Sequence, residues 1–142
     1  MRKTNWQVIF TDRKSAESES ARPHWAMISI SEPPWPEADL QPGWKYVLRL
    51  EFHDVESWTH LDMDGLIRFS EEDAGKIIDF IEALPDELNG ILVHCRAGIS
   101  RSAAVAKWIS AAHGLPFNEK YNAYNYSVFA MLEKVAERRR NG

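Results

Sequence analysis

Cysteine is nearly absent from this sequence, since Cys95 is the only one among 142 residues. A single thiol cannot form an internal disulfide, and a zinc site built from several cysteines has no ligands here. The thiol therefore needs another explanation, either as a small buried apolar side chain or as a reactive group.

Long apolar runs, an excess of positive charge and internal repeats are also missing. No stretch is long enough to cross a bilayer, and the apolar residues Val8 to Phe10 end at once in polar ones, which argues against a signal peptide. The formal net charge of −4 argues against general nucleic-acid binding. We therefore expect a cytoplasmic protein with neither a membrane nor a nucleic acid as its partner. The sequence does not determine the oligomeric state, and we favour a monomer.

The pattern of apolar residues predicts one α/β domain over residues 1–142, with a central, mostly parallel sheet flanked by helices. The predicted strands are Gln7 to Phe10, Trp25 to Ile30, Tyr46 to Phe52 and Ile91 to His94. The predicted helices are Lys14 to Ala21, one beginning at Ser70 with Asp73 in capping-box spacing, Ser100 to His113 stopped by Gly114, and Ser127 to Arg139.

A buried strand, a glycine-containing loop and the start of a helix follow one another between Ile91 and Ser102. The loop between Cys95 and Arg101 can aim successive N–H groups inward, and the helix N-terminus adds its partial positive charge. Gly98 supplies the permissive backbone, and Arg101 can place two N–H donors on two phosphate oxygens. The segment predicts a phosphate-binding loop formed by Arg96, Ala97, Gly98, Ile99, Ser100 and Arg101.

The same electrostatic field acts on the Cys95 sulfur and favours its thiolate form. Cys95 is the predicted nucleophile, giving a phosphocysteine that water hydrolyses in a second step, while Arg101 stabilises both transition states. Ser102 is placed to donate a hydrogen bond to the sulfur, and His94 to orient the loop or tune the thiol. For these two residues a structural role, as a helix cap or a packed strand residue, stays equally open.

The nine residues from His94 to Ser102 read HCRAGISRS, which resembles the His-Cys-x5-Arg-Ser signature of the protein tyrosine phosphatase superfamily. The string is most similar to the small dual-specificity-type branch, including compact bacterial members. The resemblance implies a mostly parallel sheet with helices on both faces, no metal and no cofactor. It also implies that a phosphorylated protein or peptide is the substrate, with phosphotyrosine first and phosphoserine or phosphothreonine as further candidates.

A general acid is expected on the loop that follows Tyr46 to Phe52. A phenol has a pKa of about 10, so departure of a phenolate at neutral pH is helped by a proton donor. Loops after parallel strands share one end of the sheet, and this loop is long enough to move over the site. Asp54 is the predicted acid, while Asp62 and Asp64, nearer to Cys95 along the chain, and a merely solvated role for all three stay open.

Three other functions remain as alternatives. A phosphatase for a non-protein substrate, such as a phosphoinositide or an RNA 5′ phosphate, ranks lower because relatives specialised for phosphoinositides tend to carry extra lysines, whereas this loop has Ala97 and Ile99. A non-catalytic phosphate-binding module is disfavoured by the intact Cys95 and Arg101. A sulfurtransferase of the rhodanese type also uses a cysteine loop, but the ending Ser100-Arg101-Ser102 is less similar to the loops of that group.

Overall fold

The computed structural model describes residues 3–59 and 65–142. Within them the chain forms, in order, β1 (Gln7–Thr11), α1 (Arg13–Ser18), β2 (Trp25–Ser31), β3 (Tyr46–Glu51), α2 (Glu71–Ala83), β4 (Gly90–His94), α3 (Arg101–His113) and α4 (Tyr126–Asn141). All strand pairs are parallel and the strand order is β1-β4-β2-β3. The predicted α/β class with a parallel sheet is confirmed.

The sheet separates two apolar layers. On one face, alternate residues of β2 and β4 such as Ile28 and Val93 pack with the apolar sides of α2, α3 and α4 in one large cluster. On the other face, Met27 and Leu92 pack against Ala16 of α1. Because β2 and β4 are buried along their whole length, each strand carries apolar residues on both of its faces, as Met27 and Ile28 show in β2.

The strand order places several chain segments at one edge of the sheet. Since all four strands are parallel, their carboxyl ends meet there, and the segments after them begin at Asp12, Glu32, Phe52 and Cys95. The two central strands, β2 and β4, put Glu32 and Cys95 in the middle of this edge. Ligands of open parallel sheets bind outside the carboxyl ends of the strands, so we expect a ligand-binding site at this edge.

Helix ends follow the local sequence signals closely. The predicted capping box is confirmed, because Ser70 Oγ accepts from Asp73 N at 3.0 Å and Ser70 N donates to the Asp73 carboxylate at 3.1 Å. Gly114 ends α3 in the left-handed conformation with φ of 67°. Helix α1 is shorter than predicted and ends at Ser18. Among the described residues no helix has the length and apolar content that a membrane span requires.

Helix α4 begins one residue earlier than the sequence predicts. Its N-cap is Asn125, whose side chain accepts a hydrogen bond from Val128 N. The apolar stripe that starts at Val128 predicts the helix face correctly, but a stripe contains no information about the first turn. The N-cap of α4 proves to lie beside the candidate site.

Candidate active site

The loop from Cys95 to Arg101 is shaped by Gly98. This residue has φ of 69°, in the left-handed region that favours glycine. A Cβ atom there would lie 2.5 Å from backbone atoms of both Thr11 and Asp12, where β1 ends. Glycine is therefore required twice, for the conformation of the loop and for its close packing against the neighbouring strand.

Carbonyl groups of the loop are bonded to other segments. Arg96 O accepts a hydrogen bond from Arg13 N at 3.2 Å, and Ser100 O accepts one from Asn125 N at 3.0 Å. Ile99 O accepts a hydrogen bond from the Tyr121 hydroxyl at 2.5 Å. In the part of the chain that the structure describes, the N–H groups of residues 96–100 donate to no protein acceptor. A curled loop with bonded carbonyls and free amides is suited to hold an anion.

Tyr121 supports the loop from outside. Its ring packs on Phe10 and Phe117, with ring centroids 5.2 and 6.3 Å away. Burial, and secondarily the nearby Cys95 sulfur, raise the pKa of Tyr121 above its ordinary value of 10.0, so the hydroxyl stays protonated and acts as the donor to Ile99 O. Tyr121 has no recognisable signal in the sequence, because no local pattern connects it to the loop.

Cys95 lies at the base of the loop, 2% exposed. Its Sγ is 3.1 Å from the Oγ of Ser102, which is fully buried in the first turn of α3. A thiolate has no proton to donate, so with an ionised sulfur the Ser102 hydroxyl is the donor of this hydrogen bond. The structure thus brings together the two residues that the sequence predicts to interact.

Within the described ranges, all hydrogen bonds of the Arg101 side chain are made by one nitrogen, Nη1. Its Nη1 donates to Glu32 Oε2 at 3.1 Å and to Phe52 O at 2.7 Å. Its Nε is buried and, among the described residues, has no hydrogen-bond partner. Buried polar atoms are nearly always paired, so an orphaned guanidinium N–H points to a ligand. The Nε and Nη2 edge of a guanidinium matches two oxygens of a phosphate.

Glu32 belongs to the candidate site although the sequence patterns did not predict it there. Its side chain is almost buried, and besides Arg101 it lies 3.9 Å from Nη1 of Arg96. It compensates a cation that is otherwise unfavourable in the first turn of a helix. Its signal in the sequence is an acidic residue directly after a mainly apolar strand, at the end where parallel strands place their ligands.

His94 is fully buried and contacts the backbone of Cys95 rather than its sulfur. Its Nε2 is 2.6 Å from Ser29 Oγ and its Nδ1 is 3.3 Å from Cys95 O. Burial is the main cause that lowers the pKa of His94 below its ordinary value of 6.5. A neutral ring that donates from Nδ1 to Cys95 O and accepts from Ser29 at Nε2 satisfies both contacts, and this favours the predicted orienting role.

The lowered pKa of His94 has a consequence for stability. The folded state disfavours the protonated ring. The contribution of neutral His94 to the free energy of unfolding is therefore complete above about pH 6.5, and it is lost progressively as pH falls toward the pKa of the folded state. We expect Tm to fall between about pH 7 and pH 5, and to fall less in His94→Asn. Thermal unfolding of both proteins at several pH values measures this difference. Parallel pH dependences in the two proteins would show that His94 does not titrate as described.

Asp54 lies beside the loop. It follows β3, is exposed, and its Oδ1 accepts hydrogen bonds from Ser100 Oγ at 2.8 Å and from Asn125 Nδ2 at 2.9 Å. Although Ser100 is the N-cap of α3, its hydroxyl does not cap that helix and goes to Asp54 instead. The two alternative acids, Asp62 and Asp64, lie outside the described residues.

Comparisons with known proteins bear on the fold. The sequence matches no protein-family model and no curated protein. The crystal structure of human DUSP28 is similar to this structure, with a TM-score of 0.56 and 19% sequence identity. The similarity covers 94% of this chain and 94% of that chain. At this level of identity the likeness establishes a shared fold.

Proposed function

We propose that this protein is a cysteine-dependent phosphatase of the protein tyrosine phosphatase superfamily, with residues 1–142 as one phosphatase domain. Its proposed substrates are phosphotyrosine and, further, phosphoserine or phosphothreonine in proteins. The observation that carries the proposal is the buried, unpartnered Nε of Arg101 at the end of a loop with free amides and Cys95 at its base. The likeness to human DUSP28, a dual-specificity phosphatase, supports the same reaction class.

The proposed reaction has two displacements at phosphorus. In the first, the Cys95 thiolate forms an S–P bond as the P–O bond to the leaving group breaks, and Asp54 gives its proton to the departing oxygen. In the second, water attacks the phosphocysteine, Asp54 takes a proton from that water, and the S–P bond breaks. The Ser102 hydroxyl stabilises the thiolate that departs. Arg101 and the loop amides hold the phosphoryl oxygens throughout.

The surface around the loop favours a protein side chain over a polyanionic substrate. Ile99 of the loop and Trp35 beside it are 52% and 51% exposed, so apolar side chains are exposed at the rim of the site. The extra cation of the loop, Arg96, is already engaged, because its guanidinium stacks on Trp35 at 4.5 Å and lies near Glu32. A substrate with several phosphates needs free cations around the catalytic one, and within the described loop Arg96 is not free.

The proposed function is tested by rates of phosphate release from four substrates: a phosphotyrosine peptide, a phosphothreonine peptide, an inositol phosphate and p-nitrophenyl phosphate. We expect vanadate-sensitive hydrolysis of p-nitrophenyl phosphate and of the phosphotyrosine peptide. Faster hydrolysis of the inositol phosphate would favour the non-protein alternative. Phosphate binding without any turnover would favour a non-catalytic module.

The role of Asp54 is tested by the leaving group. Asp54→Asn is expected to lower kcat about a hundredfold on phenyl phosphate, whose leaving group needs a proton, and much less on p-nitrophenyl phosphate. Asp39→Asn, at another exposed aspartate, serves as the matched control and is expected to change neither rate. Unchanged kinetics on phenyl phosphate in Asp54→Asn would show that Asp54 is not the general acid. Asp62 and Asp64 would then be the next residues to substitute.

A further inference from the structure

Asn125 is a buried junction between three segments of the chain. It is 1% exposed, and its backbone N–H donates to Ser100 O, at the end of the phosphate loop. Its side-chain Oδ1 accepts from Val128 N at 2.9 Å and caps α4. Its Nδ2 donates both to Asp54 Oδ1 at 2.9 Å and to Val55 O at 3.0 Å. Both amide hydrogens are thus used on the segment that carries the candidate acid.

The arrangement distinguishes the two oxygens of Asp54. Oδ1 accepts from two donors, Ser100 Oγ and Asn125 Nδ2, so a proton on Oδ1 would displace one of these hydrogen bonds. Among the described residues Oδ2 accepts no hydrogen bond, so a proton on Oδ2 displaces none of these contacts. A general acid needs its proton on a defined oxygen at a fixed distance from the leaving group.

Contacts of Glu56 fix the same segment a second time. Its carboxylate accepts from Tyr126 N at 3.0 Å and from Ser127 N at 2.7 Å, where a negative charge is favourable at the N-terminus of α4. The Ser57 N–H donates to Ser127 Oγ at 2.7 Å. Residues 54–57 of the loop after β3 are thus attached to the N-cap and the first turn of α4.

We propose that Asn125 is a positioning residue for the general acid. It holds Oδ1 of Asp54, so that Oδ2 carries the proton and faces the leaving group, and it ties this carboxyl to the phosphate loop through Ser100. The inference rests on the proposed function. It assigns a role to a residue that does not itself exchange protons or bonds with the substrate. Nothing near Asn125 in the sequence signals this role, since it is 71 positions from Asp54.

Asn125→Asp separates positioning from folding. The aspartate keeps an oxygen that caps Val128 N, but it replaces the Nδ2 donor by an oxygen that repels the Asp54 carboxylate. We expect kcat on phenyl phosphate to fall about tenfold to a hundredfold, with little change in KM and little change on p-nitrophenyl phosphate. Asn125→Ser, which keeps a capping oxygen but lacks the amide group Nδ2 that donates to Asp54, serves as the second variant if the first folds poorly.

The decisive readout is the double variant with Asp54→Asn. If Asn125 acts through Asp54, substituting Asn125 should not lower the rate further in the Asp54→Asn variant, which has no carboxyl group to position. The effects of the two substitutions are then not additive. Ser70→Ala is the matched control, because it removes the N-cap of α2 with no contact to the site. We expect it to lower Tm and leave the dependence on the leaving group unchanged.

The outcomes separate this inference from the proposed function. Suppose that the wild type is active. If Asn125→Asp then slows hydrolysis of both substrates equally, or lowers the rate as much in the Asp54→Asn background as in the wild type, the positioning role is contradicted and the proposed function stands. A wild type that hydrolyses none of the phosphomonoesters overturns the proposed function and the positioning role with it. Loss confined to phenyl phosphate and absent from the Asp54→Asn background supports both.

Discussion

Replacing Cys95 by serine is expected to reduce the hydrolysis of p-nitrophenyl phosphate by at least about a thousandfold. Serine is nearly the same size and fits the buried position next to Ser102, but its hydroxyl is not ionised and is a poor nucleophile without a base beside it. The loop amides and Arg101 are unchanged, so binding of the phosphoryl group should persist. The rate of nitrophenolate release under saturating substrate measures the loss.

Binding provides the control for this variant. Cys95→Ser should retain affinity for a phosphotyrosine peptide, measured by calorimetry, and should unfold at nearly the same temperature as the wild type. Retained binding with lost turnover assigns the defect to the chemical step. Equal turnover in the two proteins would mean that the thiol takes no part in the reaction.

Arg101→Lys is expected to lower kcat/KM about a hundredfold to a thousandfold although the positive charge is kept. In the wild type, Nη1 is committed to Glu32 and to the carbonyl of Phe52, while Nε remains for the ligand. One ammonium nitrogen cannot serve both sides, because it lacks the planar fork that spans from Glu32 to the phosphoryl oxygens. Rates on p-nitrophenyl phosphate, with Tm recorded alongside, measure the effect.

Arg96→Lys is the matched control for Arg101→Lys. Arg96 lies in the same loop, but its side chain is 57% exposed and stacks on Trp35 outside the pocket. The same substitution there should change kcat/KM by no more than a few-fold. Similar losses at the two positions would indicate a general effect of loop charge rather than recognition by the Arg101 guanidinium.

Local sequence predicts the elements and the loop because these depend on neighbouring residues. Strand and helix patterns, the capping box at Ser70 and the stop at Gly114 are each determined within a few positions. The loop around Cys95 is likewise continuous in the sequence, and its glycine marks the conformation that it adopts. For the same reason the closeness of Cys95 to Ser102 could be predicted, since a strand, a loop and a helix start bring them together.

Contacts between distant segments could not be predicted in this way. Glu32 lies 69 positions from Arg101 and meets it because β2 and β4 are neighbours in the sheet. No apolar pattern reveals that strand order, although the rule that parallel strands share one end does predict Asp54 near the loop. The rule could not select among Asp54, Asp62 and Asp64, nor identify Asn125, because hydrogen bonds of single polar side chains leave no periodic signal.

The most direct test of the account is the rate at which iodoacetamide modifies Cys95 at neutral pH, with and without vanadate. A nucleophilic sulfur at the base of an anion-binding loop should be alkylated readily, and vanadate should protect it. A sulfur that resists alkylation at neutral pH, or whose alkylation is the same with and without vanadate, would contradict a nucleophile in an anion-binding loop.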